Sequence, residues 1–220
     1  MPPLHLVSTP IGHPDDFTLR GLATLRRCPI VIVEERKEST AWLRQQGIAG
    51  KQIEILNEHS TPQDLDRLMK ICREHEVSLI TDAGTPGFCD PGAELVRRCR
   101  TQAIPVRVYP GASSLMSLLS LSGEPLEEFY FRGFLPAKSE DRRAAWMKMQ
   151  KSHMPIILMD TPYRLRKFLG ECGEFIPSRR ILLALNLTQD DELVIEALGR
   201  ELAAKVHFRK AEFICLVYQS

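Results

Sequence analysis

The segment Thr81-Asp-Ala-Gly-Thr-Pro-Gly-Phe-Cys-Asp-Pro-Gly92 decides the fold that is predicted for this chain. It follows Val77-Ser-Leu-Ile80, whose short apolar run is typical of a buried strand, and it precedes Ala93–Arg100, whose apolar spacing is typical of a helix. A strand, a glycine-rich turn and a helix in this order place a ligand at the carboxyl end of a parallel strand. Gly84 and Gly87 permit positive φ angles in the turn. Taken alone, the segment is explained equally well as a rigid turn that its two aspartates cap.

Three segments of this kind follow predicted strands: Thr9-Pro-Ile-Gly12, Asp82–Gly87 and Pro110-Gly-Ala-Ser-Ser114. Because the carboxyl ends of parallel strands line one edge of a sheet, we expect the three segments to converge. They contain no Lys or Arg to neutralise phosphates, and the chain lacks the glycine-rich nucleotide fingerprints. The pattern therefore predicts a nucleoside-like cofactor rather than a phosphate-rich one.

Alternating strands and helices extend from the amino terminus to about residue 122, which predicts a parallel, doubly wound sheet. Ile30-Val-Ile-Val33 has the continuous apolar character of a strand that is covered on both faces. The helix Leu115–Ser122 is almost wholly apolar or small and is expected to be buried. Gly123-Glu-Pro125 then interrupts the pattern, and a second α/β domain with a helix at Glu196–Lys205 is predicted. The predicted domains are residues 1–122 and 123–220.

The composition is that of an ordinary globular protein, with 220 residues, 44% hydrophobic residues and a net charge of +1. The near-neutral charge counts mildly against a nucleic-acid ligand but excludes neither RNA nor a small molecule. The six cysteines and six histidines are dispersed, so we predict no metal site. No apolar run approaches the roughly 20 residues of a membrane span, and no signal peptide is evident. We therefore expect a cytoplasmic protein without a membrane contact.

Four segments, taken together, resemble a known family. They are LHLVSTPIGHPDDFTLRGL (4–22), DAGTPGFCDPGAELVRRCR (82–100), YPGASS (109–114) and FYFRGFLPAKSEDRRAA (129–145). Spread in this order over nearly the whole chain, they are similar to the tetrapyrrole methylases and, within them, to the bacterial group of small-subunit ribosomal RNA methyltransferases I. The resemblance implies two α/β domains, a parallel N-terminal sheet and a mixed C-terminal sheet, with S-adenosylmethionine in the cleft between them. It also implies a homodimer.

The resemblance further implies which residues contact the cofactor. In the first domain they are Thr9, Pro10, Gly12, Asp82, Ala83, Gly84, Thr85, Pro86, Gly87, Pro110, Ser113 and Ser114. In the second domain, the backbone of Met159 and that of Leu185 would contact the cofactor.

The chain departs from the ribosomal group where charged residues face the substrate. The group carries Glu-Asp-Thr-Arg, Tyr-Glu-Ser and Arg-Glu-Leu-Thr-Lys where this chain has Glu34-Glu-Arg-Lys37, Met159-Asp-Thr161 and Leu185-Asn-Leu-Thr-Gln189. We predict an S-adenosylmethionine-dependent methyltransferase acting on a ribose 2′-hydroxyl of small-subunit ribosomal RNA. Since charged groups in a cleft orient substrates, a different RNA or a small molecule is one alternative. A non-catalytic module that binds S-adenosylmethionine or a protein is the other.

Three carboxylates are candidates for the base that assists a hydroxyl nucleophile, namely Glu34, Glu35 and Asp160. The alternative is that they form structural ion pairs with Arg36, Lys37 or Arg164.

Basic residues in the segment from 132 to 151, among them Lys138, Arg142 and Arg143, lie close to aromatic residues and suggest contact with RNA. A solvated helix face with its aromatic residues in the core explains the same pattern.

Overall fold

The computed structural model describes residues 1–219, and the chain divides into two compact units. Met1–Ser113 form the first unit, and the second unit begins at Ser114 with the helix α5 (Ser114–Leu121). The predicted domain boundary at residue 122 lies at the opposite end of this helix. Each unit contains one five-stranded sheet with helices, so the predicted class of two α/β domains is confirmed.

The first unit is built on a parallel sheet, as predicted. Its strands are β1 (Leu4–Val7), β2 (Ile30–Val33), β3 (Gln52–Ile55), β4 (Val77–Leu79) and β5 (Val106–Tyr109), and its helices are α1 (Leu19–Arg27), α2 (Arg36–Gln45), α3 (Pro62–Glu74) and α4 (Gly92–Thr101). The strands lie in the order β3-β2-β4-β1-β5, and every neighbouring pair is parallel. The carboxyl ends of β1, β4 and β5 therefore lie side by side.

Strand β2 shows why the sheet is covered on both faces. Successive side chains of a strand point to opposite faces, and all four residues of β2 are buried. The two isoleucines belong to the apolar cluster that includes Leu68 of α3 and Leu95 of α4. The two valines belong to the cluster that includes Leu25 of α1 and Leu43 of α2. One helical layer thus packs on each face, which is the doubly wound arrangement.

The second unit is built on a mixed sheet. Its strands are β6 (Tyr130–Phe134), β7 (Ile156–Asp160), β8 (Arg180–Leu185), β9 (Leu193–Leu198) and β10 (Phe213–Val217), and its other helices are α6 (Ser139–Gln150), a 3-10 turn (Pro162–Arg164), α7 (Leu165–Phe175) and α8 (Gly199–Lys205). The strand order is β6-β7-β10-β8-β9, with β6 and β7 parallel and the other pairs antiparallel. The core between sheet and helices includes stacked rings of Trp146 and Phe175, with centroids 5.9 Å apart.

Two sequence-based expectations for this unit were wrong. The predicted helix Glu196–Lys205 begins only at Gly199, because Leu193–Leu198 extends the sheet by pairing with β8. The helix α5 is not wholly buried, since Met116 is 59% exposed and Leu121 is 43% exposed.

Among residues 1–219, no helix combines the length and the apolar character that crossing a membrane requires.

Candidate functional site

The loops after β1 and β4 are joined through their backbones at the carboxyl edge of the first sheet. The Thr9 N–H donates to the Gly84 carbonyl at 2.9 Å, and the Gly84 N–H donates to the Thr9 carbonyl at 3.2 Å. The Thr9 hydroxyl donates to the Thr81 carbonyl at 3.1 Å, and the hydroxyls of Ser8 and Thr85 lie 3.0 Å apart. Two of the three segments that the sequence predicted to converge are thus directly bonded to each other.

The third segment, after β5, packs closely against the first. A Cβ atom built on Gly111 would lie only 2.9 Å from the Ser8 Cβ, and one on Gly84 would lie 3.7 Å from the Ala112 carbonyl oxygen. A side chain at residue 111 would therefore separate the two loops. Glycine is also required at residue 84, whose φ of +82° is in the left-handed region.

The loop after β4 is held by Asp90 rather than by Asp82. The Asp90 carboxylate accepts the N–H groups of Gly87 and Phe88, each at 3.0 Å, and that of Gly92 at 2.7 Å. Three charge-assisted bonds to one side chain fix the path of the loop. Asp90 therefore caps the turn, as one explanation of the sequence proposed. Asp82 lies on the exposed side of the loop.

A cavity of about 450 Å³ opens beside the joined loops, within the first unit. Its lining residues are Thr9, Pro10, Ile11, Gly12, Pro14, Glu38, Ser39, Trp42, Gln45, Ile80, Thr81, Asp82 and Ala83. They include five predicted cofactor contacts: Thr9, Pro10, Gly12, Asp82 and Ala83. The other predicted contacts of this unit, Gly84, Thr85, Pro86, Gly87, Pro110 and Ser113, lie in the same loops but outside this lining. Ser114, Met159 and Leu185 belong to the second unit.

The sequence-based prediction missed the wall that α2 contributes. Ser39 and Trp42 lie three residues apart on one face of this helix, and the Trp42 ring packs at 5.1 Å from that of Phe17. The helix begins one residue after Glu35, whose carboxylate accepts the Lys37 N–H at 3.4 Å as a cap. The spacing of a serine and a tryptophan on one helix face was the available signal.

The carboxylates around the cavity share an unfavourable environment for negative charge. Glu34 accepts the Asp82 N–H at 3.3 Å. Burial raises the pKa of the Glu34 carboxyl, the bond from the Asp82 N–H offsets part of this rise, and the nearby carboxylates of Asp82 and Asp90 add to it. Partial burial likewise raises the pKa of the Asp82 carboxyl, with Glu38 and Glu35 adding to the effect. None of the described lining residues is Lys or Arg. A bound cation would relieve this repulsion, so the cavity suits a positively charged ligand.

In the second unit, Asp160 is not available as a base. It is 2% exposed, and its carboxylate accepts bonds from Arg142 at 2.5 Å, from Arg164 at 3.1 Å and from the Thr161 N–H at 2.8 Å. The structure contains the ion pair with Arg164, which was the alternative to a catalytic role. Both oxygens of this carboxylate are thus engaged by donors of the protein itself.

The prediction that Arg142 contacts RNA was wrong. Arg142 is 1% exposed, and its guanidinium also binds Glu171, with a 2.6 Å contact to Oε2. Glu171 further accepts the Trp146 indole N–H at 3.1 Å. Lys138 and Arg143 are exposed, as an RNA contact requires.

A group of atoms suited to metal binding lies elsewhere in the first unit, on His5, Cys28 and Glu76. His5 is fully buried, and its Nε2 lies 2.7 Å from the Glu76 carboxylate, which also pairs with Arg27 at 3.0 Å. Because Arg27 already supplies a positive charge there, this group is explained as an ion pair. The predicted lack of a metal site stays a prediction.

The family model described as Tetrapyrrole (Corrin/Porphyrin) Methylases matches residues 3–203. The chain is 35% identical over 220 residues to "Ribosomal RNA small subunit methyltransferase I" of Neisseria meningitidis serogroup B, covering 98% of this chain and 75% of that protein. It is 35% identical over 219 residues to the protein of the same name from Coprothermobacter proteolyticus, covering 99% and 98% of the two chains.

Solved structures share the fold at low identity. A diphthine synthase superposes with a TM-score of 0.77 at 15% identity, covering 99% of this chain and 90% of that one. The uroporphyrin-III C-methyltransferase from Thermus thermophilus, complexed with S-adenyl homocysteine, has a TM-score of 0.63 at 18% identity and covers 99% and 97%.

Proposed function

The chain belongs to the tetrapyrrole methylase family and is an S-adenosylmethionine-dependent methyltransferase, and from this premise we propose that it methylates a ribose 2′-hydroxyl in small-subunit ribosomal RNA. The observation that carries the proposal is the 35% identity that extends over 98% of the chain to a relative named for this RNA. The joined loops of the first unit support it, because they form a cavity without Lys or Arg for a cationic nucleoside cofactor.

The lining of the cavity fits S-adenosylmethionine by its chemistry. When bound, this cofactor supplies an electrophilic methyl group on a positively charged sulfur. Thr9, Pro10, Gly12, Asp82 and Ala83 would hold it, with Ser39 and Trp42 of α2 completing the wall. Gly84, Thr85, Pro86, Gly87, Pro110 and Ser113 shape the loops, and contacts from Ser114, Met159 and Leu185 are retained as part of the proposal.

Glu34 is the base that the geometry favours among the three predicted carboxylates. A ribose hydroxyl is a weak nucleophile, and a carboxylate whose pKa is raised accepts its proton more readily at neutral pH. Burial raises the pKa of Glu34, whereas Glu35 caps α2 and Asp160 is held by two arginines. The bond from the Asp82 N–H orients the Glu34 carboxylate beside the cavity.

Exposed cations of the second unit are proposed to contact the RNA backbone. Lys138 and Arg143 are both exposed, and the nearest carboxylate contact of Arg143 is a 3.9 Å approach to Glu174. Such weakly paired side chains can exchange a surface ion pair for a phosphate at little cost. We further propose that the protein works in the cytoplasm, where ribosomal subunits are assembled.

A homodimer is proposed because α5 presents apolar side chains to solvent. Leu121 is 43% exposed on this helix, and contiguous apolar surface marks association sites. Light scattering should give twice the chain mass for the native protein and the single mass for Leu121→Glu. Met147→Glu, at an equally exposed methionine of α6, is the matched control and should remain dimeric.

A second acceptor is kept as a candidate because the segment after β8 is engaged internally. The Asn186 amide donates to Asp191 at 2.8 Å and accepts the Glu212 N–H at 3.0 Å. This segment stands where the ribosomal group carries charged residues, so its side chains support the loop rather than reaching toward a substrate. A different RNA or a small molecule would then be the methyl acceptor.

One experiment separates the candidates. Small ribosomal subunits from a strain that lacks this gene are incubated with the protein and S-adenosylmethionine carrying a labelled methyl group, and the RNA is then hydrolysed in alkali. A 2′-O-methyl group blocks attack on the adjacent phosphodiester, so the label should remain in an alkali-stable dinucleotide. Label in a mononucleotide would indicate base methylation. Label only in other RNA or in small molecules of the extract would favour the second acceptor.

A further inference from the structure

Tyr163 is an aromatic side chain that the fold holds out into solvent. It lies in the 3-10 turn directly after β7, and it is 79% exposed. Most large aromatic side chains bury their rings, because each ring removes a large apolar area from water. An exposed ring beside the sheet edge from which Met159 would contact the cofactor therefore suggests contact with a ligand.

The turn that carries Tyr163 is rigidly supported. The Asp160 carboxylate accepts the Arg164 guanidinium at 3.1 Å and the Thr161 N–H at 2.8 Å, and the Arg164 N–H donates to the Thr161 carbonyl at 2.9 Å. Asp160 itself is locked by the buried Arg142. The ring thus projects from a fixed base, so that little conformational freedom of the turn is lost when a ligand binds.

One face of the ring is covered by a cation from the segment that precedes β10. The Lys210 ammonium lies 4.0 Å from the Tyr163 ring centroid. Strands β10 and β7 are antiparallel, with Phe213 opposite Asp160, so the segment before β10 lies next to the turn after β7. Since the side chain is 79% exposed and Lys210 covers one face, the other face is open to solvent.

We propose that the open face of Tyr163 stacks on a base of the substrate RNA while Lys210 contacts an adjacent phosphate, an assignment that rests on the proposed function. A flat ring beside a cation is the combination with which proteins bind single-stranded nucleic acid without strict sequence preference. The exposed Arg209 adds a second positive charge next to Lys210. Asp190, Asp191 and Glu192 lie in the loop after β8, two strands from β7 in the sheet order. Because these residues repel a polyanion, RNA is directed toward the β7 side of the sheet.

Equilibrium binding of fluorescent oligoadenylate and oligouridylate, each of roughly 12 nucleotides, tests the stacking. Tyr163→Ala should weaken oligoadenylate binding roughly 5- to 150-fold, the range for loss of one stacked base. Tyr163→Phe should retain affinity. The native protein should prefer the larger purine, and Tyr163→Ala should lose that preference. Tyr130→Ala is the matched control, since Tyr130 is 44% exposed at the opposite end of the parallel pair β6 and β7.

The salt dependence of the same binding separates the roles of the two side chains. Lys210→Gln should reduce the slope of log affinity against log salt concentration by about 0.7, the value for one phosphate contact with a single strand. Tyr163→Ala should leave that slope unchanged because stacking releases no counterion.

Three results would overturn the assignment. Native oligoadenylate affinity in Tyr163→Ala would remove the stacking role and leave the proposed function standing if small-subunit RNA is still methylated. Weaker binding of S-adenosylmethionine by Tyr163→Ala, with unchanged oligoadenylate affinity, would place the ring at the cofactor instead. If the native protein binds neither oligonucleotide and methylates no RNA, both the stacking and the proposed function fail.

Discussion

Thr9 and Gly84 exchange two backbone hydrogen bonds, at 2.9 and 3.2 Å, although 75 residues separate them in the chain. This isolated antiparallel bridge joins the loop after β1 to the loop after β4 at the carboxyl edge of a parallel sheet. It depends on the left-handed backbone of Gly84, whose φ is +82°. The wall of the proposed cofactor cavity is therefore set by main-chain geometry, and substitutions at this bridge should alter the positions of Asp82 and Ala83 beside it.

Gly84→Ala should weaken S-adenosylmethionine binding by about 5- to 10-fold and destabilise the fold by about 1 kcal/mol. The added Cβ would lie 3.5 Å from Ile11, an ordinary contact, so the cost comes from the left-handed backbone. Gly50→Ala is the matched control, because its φ is +71° with nothing within 4 Å. Gly50→Ala should lose the same stability in thermal unfolding, but it should keep the native cofactor affinity in calorimetric titration. Equal loss of affinity in both variants would contradict the importance of the bridge.

Glu34→Gln should lower the single-turnover rate of methyl transfer by about 10²–10⁴-fold, the usual contribution of a general base. The amide oxygen can still accept the Asp82 N–H, so the loop and the cofactor affinity should be preserved. Glu35→Gln, next in the chain, alters the cap of α2 and removes one negative charge near Asp82, and it should retain most of the activity. A native rate in Glu34→Gln would show that the acceptor needs no base from this residue.

The preference for S-adenosylmethionine over S-adenosylhomocysteine should decrease as the pH is lowered. Partial burial and neighbouring carboxylates raise the pKa of the carboxyls of Glu34 and Asp82, so both become protonated at a higher pH than carboxyls without such surroundings do. Above those pKa values the negative charges attract the sulfonium, which only the methylated cofactor carries. For each unit by which the bound sulfonium lowers the pKa of these carboxyls, the ratio of the two affinities should fall by about tenfold. Titrations of both ligands between neutral and acidic pH would test this, and a constant ratio would contradict it.

The sequence predicted the first sheet well because local and global signals agree there. Strand β2 is apolar throughout, and only a strand with helices on both faces accommodates that pattern. The three small-residue loops follow strands that a parallel sheet must align at one edge, so their convergence followed from topology. The role of Asp90 was less accessible, since the sequence offered two aspartates for the cap and three backbone bonds select one of them.

The remaining errors concern tertiary pairing, which periodicity does not encode. Arg142 has the sequence context of a surface cation, yet its pairing with Asp160 and Glu171 allows it to be buried. The contribution of Trp42 to the cavity required knowing which face of α2 meets the loops. The boundary of α8 depends on the pairing of Leu193–Leu198 with β8, which is a contact between distant segments.

Arg142→Met should destabilise the second unit by about 3–5 kcal/mol, because it leaves the buried carboxylate of Asp160 and the partly buried carboxylate of Glu171 without their shared cation. In a Trp42→Phe background, Trp146 is the only tryptophan, and its fluorescence in urea reports unfolding of this unit alone.

The neighbouring Arg143→Met is the matched control. The Arg143 side chain is 70% exposed, and the loss of its 3.9 Å pair with Glu174 should change stability by less than about 0.5 kcal/mol. Binding of small-subunit RNA should show the reverse order, with Arg143→Met reducing the salt dependence of affinity. If the two variants unfold at the same urea concentration, the buried ion network does not hold this unit together.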